Sequence, residues 1–256
     1  MPAVRRTVAG VTRTIDLNAD VGESFGRWRL GEDEALLPSI TSANVACGFH
    51  AGDALTIRTT VARCADLGVV IGAQVSYRDL AGFGRRAMDV EPDDLEADVL
   101  YQIAAVDGLA RIAGSGVAYL KLHGALYHRT LTDEAQAAAV VAAVAAWQPG
   151  MPVLTMTDGA LARAASAAGL KVVSEGFADR AYGADGRLVP RTRPGALLDG
   201  PAEAADQAAS LASAGAFDSL CVHGDTPGAP TIARAVRDRL TAEGYTVASF
   251  ASVSAR

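Results

Sequence analysis

The sequence predicts an α/β fold, a distorted (β/α) barrel of seven or eight mainly parallel strands, and three observations point there. Short apolar runs, polar turns and patterned helices alternate along almost all of the 256 residues, the order required by a parallel sheet wrapped in helices. No linker-like stretch divides the chain, so residues 14–256 read as one domain behind an N-terminal extension, 1–13. Half of the residues are apolar and a fifth charged, which suits a large core with a helical cover. An open, doubly wound sheet is the alternative.

From Thr14 the text TIDLNADVGE alternates, and Asp16, Asn18 and Asp20 fall on one side of a strand. Three hydrophilic groups aimed into a barrel are costly to bury unless paired or solvated at its open end, so this face reads as a site. The second strand, 40–47, stops at the glycines of SANVACGFHAGD (42–53). Gly48 and Gly52 permit a tight turn in which His50 and Asp53 converge, although Asp53 would serve equally as cap of the helix 54–67. A third strand, 69–75, carries Gln74 near its end. The polar loop 76–86 then holds Arg85 and Arg86, whose guanidinium forks suit a carboxylate, as a lid or anion clamp.

Pro92 opens a helix over 93–113 and glycines end it. The fourth strand, 117–122, runs into His123-Gly124, with Lys121 on the same face as the histidine. Thr132 is expected to cap a helix reaching Trp147. A strand at 153–157, a helix at 159–168 and a strand at 171–175 follow. An unusually long loop, of the kind that is usually functional, begins at Glu175. A helix at 201–214, a strand at 219–222 ending in His223-Gly224-Asp225, a helix at 230–243 and a strand at 245–250 complete the pattern.

A net charge of −6 and a pI of 5.2 without a cationic cluster argue against nucleic acid, whose binding rests on phosphate neutralisation. Three cysteines form no CxxC pair, which points to a reducing compartment, the cytoplasm. The N-terminus lacks the apolar core of a signal peptide. The longest uncharged tract, 135–157, is broken by Gln and Pro, so no membrane segment is expected. Neither GxGxxG after the first strand nor GxxxxGK[ST] occurs, so the chain has no dinucleotide fingerprint or phosphate loop of its own.

Three of the four histidines, His50, His123 and His223, follow apolar strand runs directly, where parallel α/β folds gather their ligand-binding turns. Asn18, Asp20, Asn44, His50, Asp53, Gln74, Lys121, His123, Glu175, His223 and Asp225 are therefore expected around one pocket, with His128 on the surface. Imidazoles beside carboxylates offer general acid–base catalysis. They could equally hold a divalent metal as two His plus a carboxylate, a question that ligands from separate strands leave open. Lys121 is placed to neutralise an oxyanion or to make a structural ion pair.

The run 15–23, the SANVACGFHAGD block, LKLHGALY (120–127), EGFADRAYGADGRLVPR (175–191) and CVHGD (221–225) together closely resemble the 5-oxoprolinase A-subunit family, also called LamB/YcsF. The likeness spans essentially everything after Arg13. It implies a barrel similar to carbohydrate-deacetylase-like folds and ATP-dependent opening of 5-oxoproline to L-glutamate, together with two partner subunits, B and C; since this chain has no phosphate loop, ATP is expected to act through those partners. The resemblance carries catalytic roles to Asp20, His50, Lys121 and His123. It carries substrate-binding roles to Asn18, Asn44, Asp53, Glu175, Asp179, Arg180, His223 and Asp225, and Gln74 and Arg86 are expected beside them from their own hydrogen-bonding chemistry. The family often reads GAHPSFPD where this chain has GAQVSYRD (72–79), so glutamine replaces an imidazole at Gln74 and keeps hydrogen-bonding capacity. The residues alone also admit a stand-alone metal-dependent amidase or deacetylase, or a non-catalytic lactam-binding subunit.

Overall fold

In the computed structural model, which describes residues 13–252, strand β1 (Arg13–Val21) is the seam of a barrel. It pairs in parallel with β2 (Ser42–Ala46) on one side and with β7 (Ser219–Val222) on the other. Between them β3 (Val70–Val75), β4 (Val117–Leu122), β5 (Val153–Thr155) and β6 (Val172–Phe177) complete a closed ring of seven parallel strands. β8 (Tyr245–Val247) stands outside the ring and pairs with Arg13–Ile15 at the start of β1. It is shorter than the predicted 245–250, because the chain turns under the barrel there and places Phe250 edge-on to Tyr119, with ring centroids 4.9 Å apart. Of the expected extension, residues 1–12 lie outside the described residues, while Arg13 already belongs to β1.

The helices are α1 (Asp33–Leu36), α2 (Ala54–Leu67), α3 (Pro92–Ile112), α4 (Gly124–Arg129), α5 (Glu134–Trp147), α6 (Ala160–Ala167), α7 (Pro201–Ala214) and α8 (Ala229–Ala242). The short α1 and α4 escape the sequence pattern, since four to six residues are too few to show a helical period. α5 is capped by Asp133, whose carboxylate accepts from the Gln136 amide, rather than by Thr132 one residue earlier. α3 starts on Pro92 with Asp93 and Asp94 in its first turn, where acidic groups complement the helix dipole. Among the described residues no helix is long and apolar enough to cross a membrane.

The main apolar layer lies between the strands and helices, around residues such as Leu17, Val45, Ile71, Ile103 and Leu122. Inside the barrel only the bottom is apolar, plugged by Tyr119, Leu154 and Val173 with Phe250. Gly72 makes this possible: a Cβ there would lie 2.2 Å from the Tyr119 ring. Above the plug the interior is polar, so each group must find a partner. The Asp16 carboxylate accepts from the hydroxyls of Thr41, Ser42 and Ser219, and burial pushes its pKa up to about 6. Asn18 donates to Ser219 Oγ at 2.7 Å, and Asn44 donates to Asn18 at 2.7 Å and Asp20 at 2.9 Å. This column of side chains carries the polar face of β1 up to the open end.

Candidate active site

At the top of the column Lys121, from the last turn of β4, gathers the acids of three other strands. Its ammonium lies 3.1 Å from Asp20 Oδ1, 2.8 Å from Glu175 Oε1 and 3.0 Å from Cys221 Sγ. All four residues are buried. Burial alone would raise the Asp20 pKa, but the Lys121 charge beside it holds it well below the usual carboxylate value. Burial works against the ammonium as well, yet Asp20, Cys221 and Glu175 keep it firmly protonated. For Glu175 burial wins and its pKa is raised, although Lys121 opposes it and Tyr127 donates to Oε2 at 3.0 Å. The cluster thus sets one buried ammonium against two carboxyl groups whose pKa values are pushed in opposite directions, that of Asp20 down and that of Glu175 up.

Beside it, His50 and His123 stack with ring centroids 4.2 Å apart. Gln74 bridges them. His123 Nε2 faces the Phe83 carbonyl at 3.0 Å, which can only accept, so the ring carries its proton there and its Nδ1 accepts from Gln74 Nε2 at 3.2 Å. The other amide proton of Gln74 goes to Glu23 Oε1 at 3.1 Å, and Gln74 Oε1 accepts from His50 Nε2 at 3.1 Å. Burial lowers the His50 pKa to about 4. Burial and then the neighbouring His50 push that of His123 lower still. Burial and the charges of Asp20 and Asp225 raise Glu23 well above an ordinary glutamate. Burial therefore disfavours charge on all three titratable groups of the network.

His223, at the end of β7, is held differently. Its Nδ1 lies 2.9 Å from Asp179 Oδ1, its backbone N–H donates to Asp179 Oδ2 at 2.8 Å, and its ring stacks on Phe177. Burial opposes ionisation of Asp179, but His223 brings its pKa below the ordinary value. With Nδ1 engaged by a carboxylate, Nε2 is the nitrogen left for chemistry. Asp20, Lys121, His123, Tyr127, Phe177 and His223 line a cavity of about 510 Å³, together with the long loop at Leu188–Thr192 and three arginines, Arg85, Arg180 and Arg191. A second cavity of about 530 Å³ lies across the Arg85–Asp225 ion pair, lined by Glu23, His50, Phe25, Trp28 and Phe83.

Of the residues singled out from sequence, Asn18, Asp20, Asn44, His50, Gln74, Lys121, His123, Glu175, Asp179, Arg180, His223 and Asp225 are gathered at this end of the barrel. Asn18 and Asn44 belong to the column beneath the cavity. Arg180 binds the Ala196 and Val189 carbonyls and so pins the long loop as well as lining the cavity. Two expectations are corrected. Asp53 lies outside both cavities and caps α2, accepting from Leu55, Thr56 and Gly26 backbone N–H groups. Arg86 turns outward to pair with Asp79, and its neighbour Arg85 faces the cavities. Phe83 at φ 54 and Gly84 at φ 66 break the strand-like alternation between them. His128 is exposed, as expected, but also lines the cavity. Glu23 and Tyr127 were missed. Tyr127 stands one helical turn after His123 on α4, an i, i+4 signal that points both inward.

Residues 15–255 match the LamB/YcsF family. The chain belongs to it. Among LamB/YcsF relatives, the A-subunit of 5-oxoprolinase from Streptomyces avermitilis is 55% identical over 249 residues, which cover 93% of this chain and 100% of that protein. The protein of the same name from Mycobacterium avium is 53% identical, over 92% of this chain and 98% of its own length. A lactam utilization protein from Thermus thermophilus superimposes with a TM-score of 0.88 at 40% identity, over 93% of this chain and 100% of that one. The catalytic domain of a peptidoglycan N-acetylglucosamine deacetylase from Eubacterium rectale shares the barrel alone. Its TM-score is 0.52 at 13% identity, over 99% of this chain and 97% of that one.

Proposed function

We propose that this chain is the lactam-opening component of an ATP-dependent 5-oxoprolinase, converting 5-oxoproline to L-glutamate together with two partner subunits. The names of the relatives above support the substrate and a complex of several subunits. The observation that carries the chemistry is that Lys121 and His223 open on the same cavity as three arginines. Arg85, Arg180 and Arg191 suit the substrate carboxylate. At the floor, the Lys121 ammonium stabilises the oxygen that gains negative charge as water adds to the ring carbonyl. His223, oriented by Asp179, moves the proton between the attacking water and the departing ring nitrogen. Ring opening consumes one water: its hydroxyl ends on the carbonyl carbon and its proton on the nitrogen.

A five-membered lactam is an unactivated amide, and the chain has no phosphate loop. ATP therefore acts through the partner subunits. The same reading puts the protein in the cytoplasm, in keeping with three cysteines that are free and buried. The test is reconstitution, with glutamate and ADP measured for every combination of the three subunits. Glutamate from the complete mixture alone is expected. ATP-dependent glutamate release by this chain by itself would refute the division of labour, and silence of the complete mixture would refute the activity.

A further inference from the structure

Two groups of metal-type ligands converge among the described residues. In one, donor atoms of Glu23, His50 and His123 lie within 4.8 Å of one another, and in the other those of Asp20, Cys221 and His223 do. A zinc ion would need each donor at about 2.0–2.3 Å with a lone pair aimed at it. In the first group a nitrogen donor of the protein already contacts all three ligands, and in the second an ammonium contacts two of the three. Gln74 Nε2 sends one proton to Glu23 and the other to His123, while the Gln74 carbonyl takes the His50 proton, so the amide contacts all three ligands at 3.1–3.2 Å. In the second group the Lys121 ammonium stands 3.1 Å from Asp20 and 3.0 Å from Cys221. The residues present do not fit a resident divalent ion.

We propose that this barrel works without a bound metal because Gln74 and Lys121 fill, with protein N–H groups, the two places where its ligands converge. Gln74 is then a switch residue. Its side chain engages one ring nitrogen of each imidazole and one oxygen of the Glu23 carboxyl, and taking the amide away frees those three donor atoms to bind zinc or cobalt. The proposal does not depend on the lactam reading, since its readout is metal occupancy.

The experiment uses the full chain stripped of metal and titrated with Co²⁺, whose visible absorption reports coordination by nitrogen and oxygen. The native chain is expected to show no band, and its melting temperature should not move with added Zn²⁺ or with chelator. Gln74→Ala should take up one equivalent of Co²⁺ and gain a metal-dependent rise in melting temperature, and both should vanish in the double variant with Glu23→Gln. Gln74→Leu serves if the alanine variant folds poorly, because it removes the amide while keeping bulk and adds no ligand. One equivalent bound by the native chain and lost in Glu23→Gln would overturn the proposal. Gln74 variants that fold and bind no Co²⁺ would overturn it too.

Discussion

Two imidazole sites stand at one end of the same barrel and differ in what holds them. His50 and His123 lie in a buried network in which Gln74 satisfies one ring nitrogen of each, while His223 leans on the carboxylate of Asp179 and lines the main cavity. All three follow a strand directly and look alike in sequence. The partner, rather than the position, decides whether a histidine is a structural part or a proton carrier: a carboxylate stabilises the imidazolium that forms during transfer, and an amide does not.

The largest expected effect lies between the two sites. Lys121→Met leaves the Asp20 and Glu175 carboxyls buried without their cation, which should cost about 3–5 kcal/mol of stability and all measurable turnover. Chemical denaturation and the reconstituted assay read the two losses. Next comes the comparison proper: His223→Gln and Asp179→Asn should each lower kcat by roughly 10²-fold or more, the scale of one acid–base group, while His50→Gln should lower it by less than about tenfold. The reverse ranking would break the distinction between the sites.

Along the cavity lining, Arg85→Ala should raise KM for the lactam by about tenfold with kcat little changed, since it removes binding common to ground and transition states, and Arg86→Ala should leave both constants alone. This pair marks a limit of the sequence. The polar face of β1, the histidines after strands and the long loop were legible because strand alternation and punctuation by glycine fix where side chains point. Between Val75 and Pro92 no such period exists, and the backbone turn at Phe83 and Gly84 exchanges the roles of adjacent arginines. Glu23 lies beyond the end of β1 for the same reason: the path of the chain after Gly22 decides that it faces Gln74. Asp53 was legible as a cap and as a ligand, and only packing chose between them. Its replacement by Ala should cost about 1 kcal/mol of stability and no activity.

A subtler effect concerns the column below. Asp16 titrates near 6 when folded and 3.8 when exposed, so between these values the folded chain holds the extra proton and stability falls as pH rises, by about 3 kcal/mol in all. His50 works the other way, because its pKa drops from 6.5 to about 4 on folding and its contribution to stability grows as pH rises through that window. The two slopes oppose each other in the native chain. Asp16→Asn should remove the falling one, so that the variant's stability gains on that of the native chain by about 3 kcal/mol as pH rises from about 4 to about 6. Guanidinium midpoints across that range check the sign, and an unchanged profile would show that Asp16 does not hold its proton.

The difference between the two imidazole sites is most directly visible in the nitrogen NMR spectrum of the four histidines, recorded on ¹⁵N-labelled chain from about pH 5 to about pH 8, the range in which an unperturbed imidazole changes charge. His50 and His123 should each remain neutral throughout, with the proton on Nε2, as their bonds to Gln74 and Phe83 require. His223 should show its proton on Nδ1, facing Asp179. Protonation of His50 or His123 within that interval, or an Nδ1–H tautomer at His123, would contradict the account.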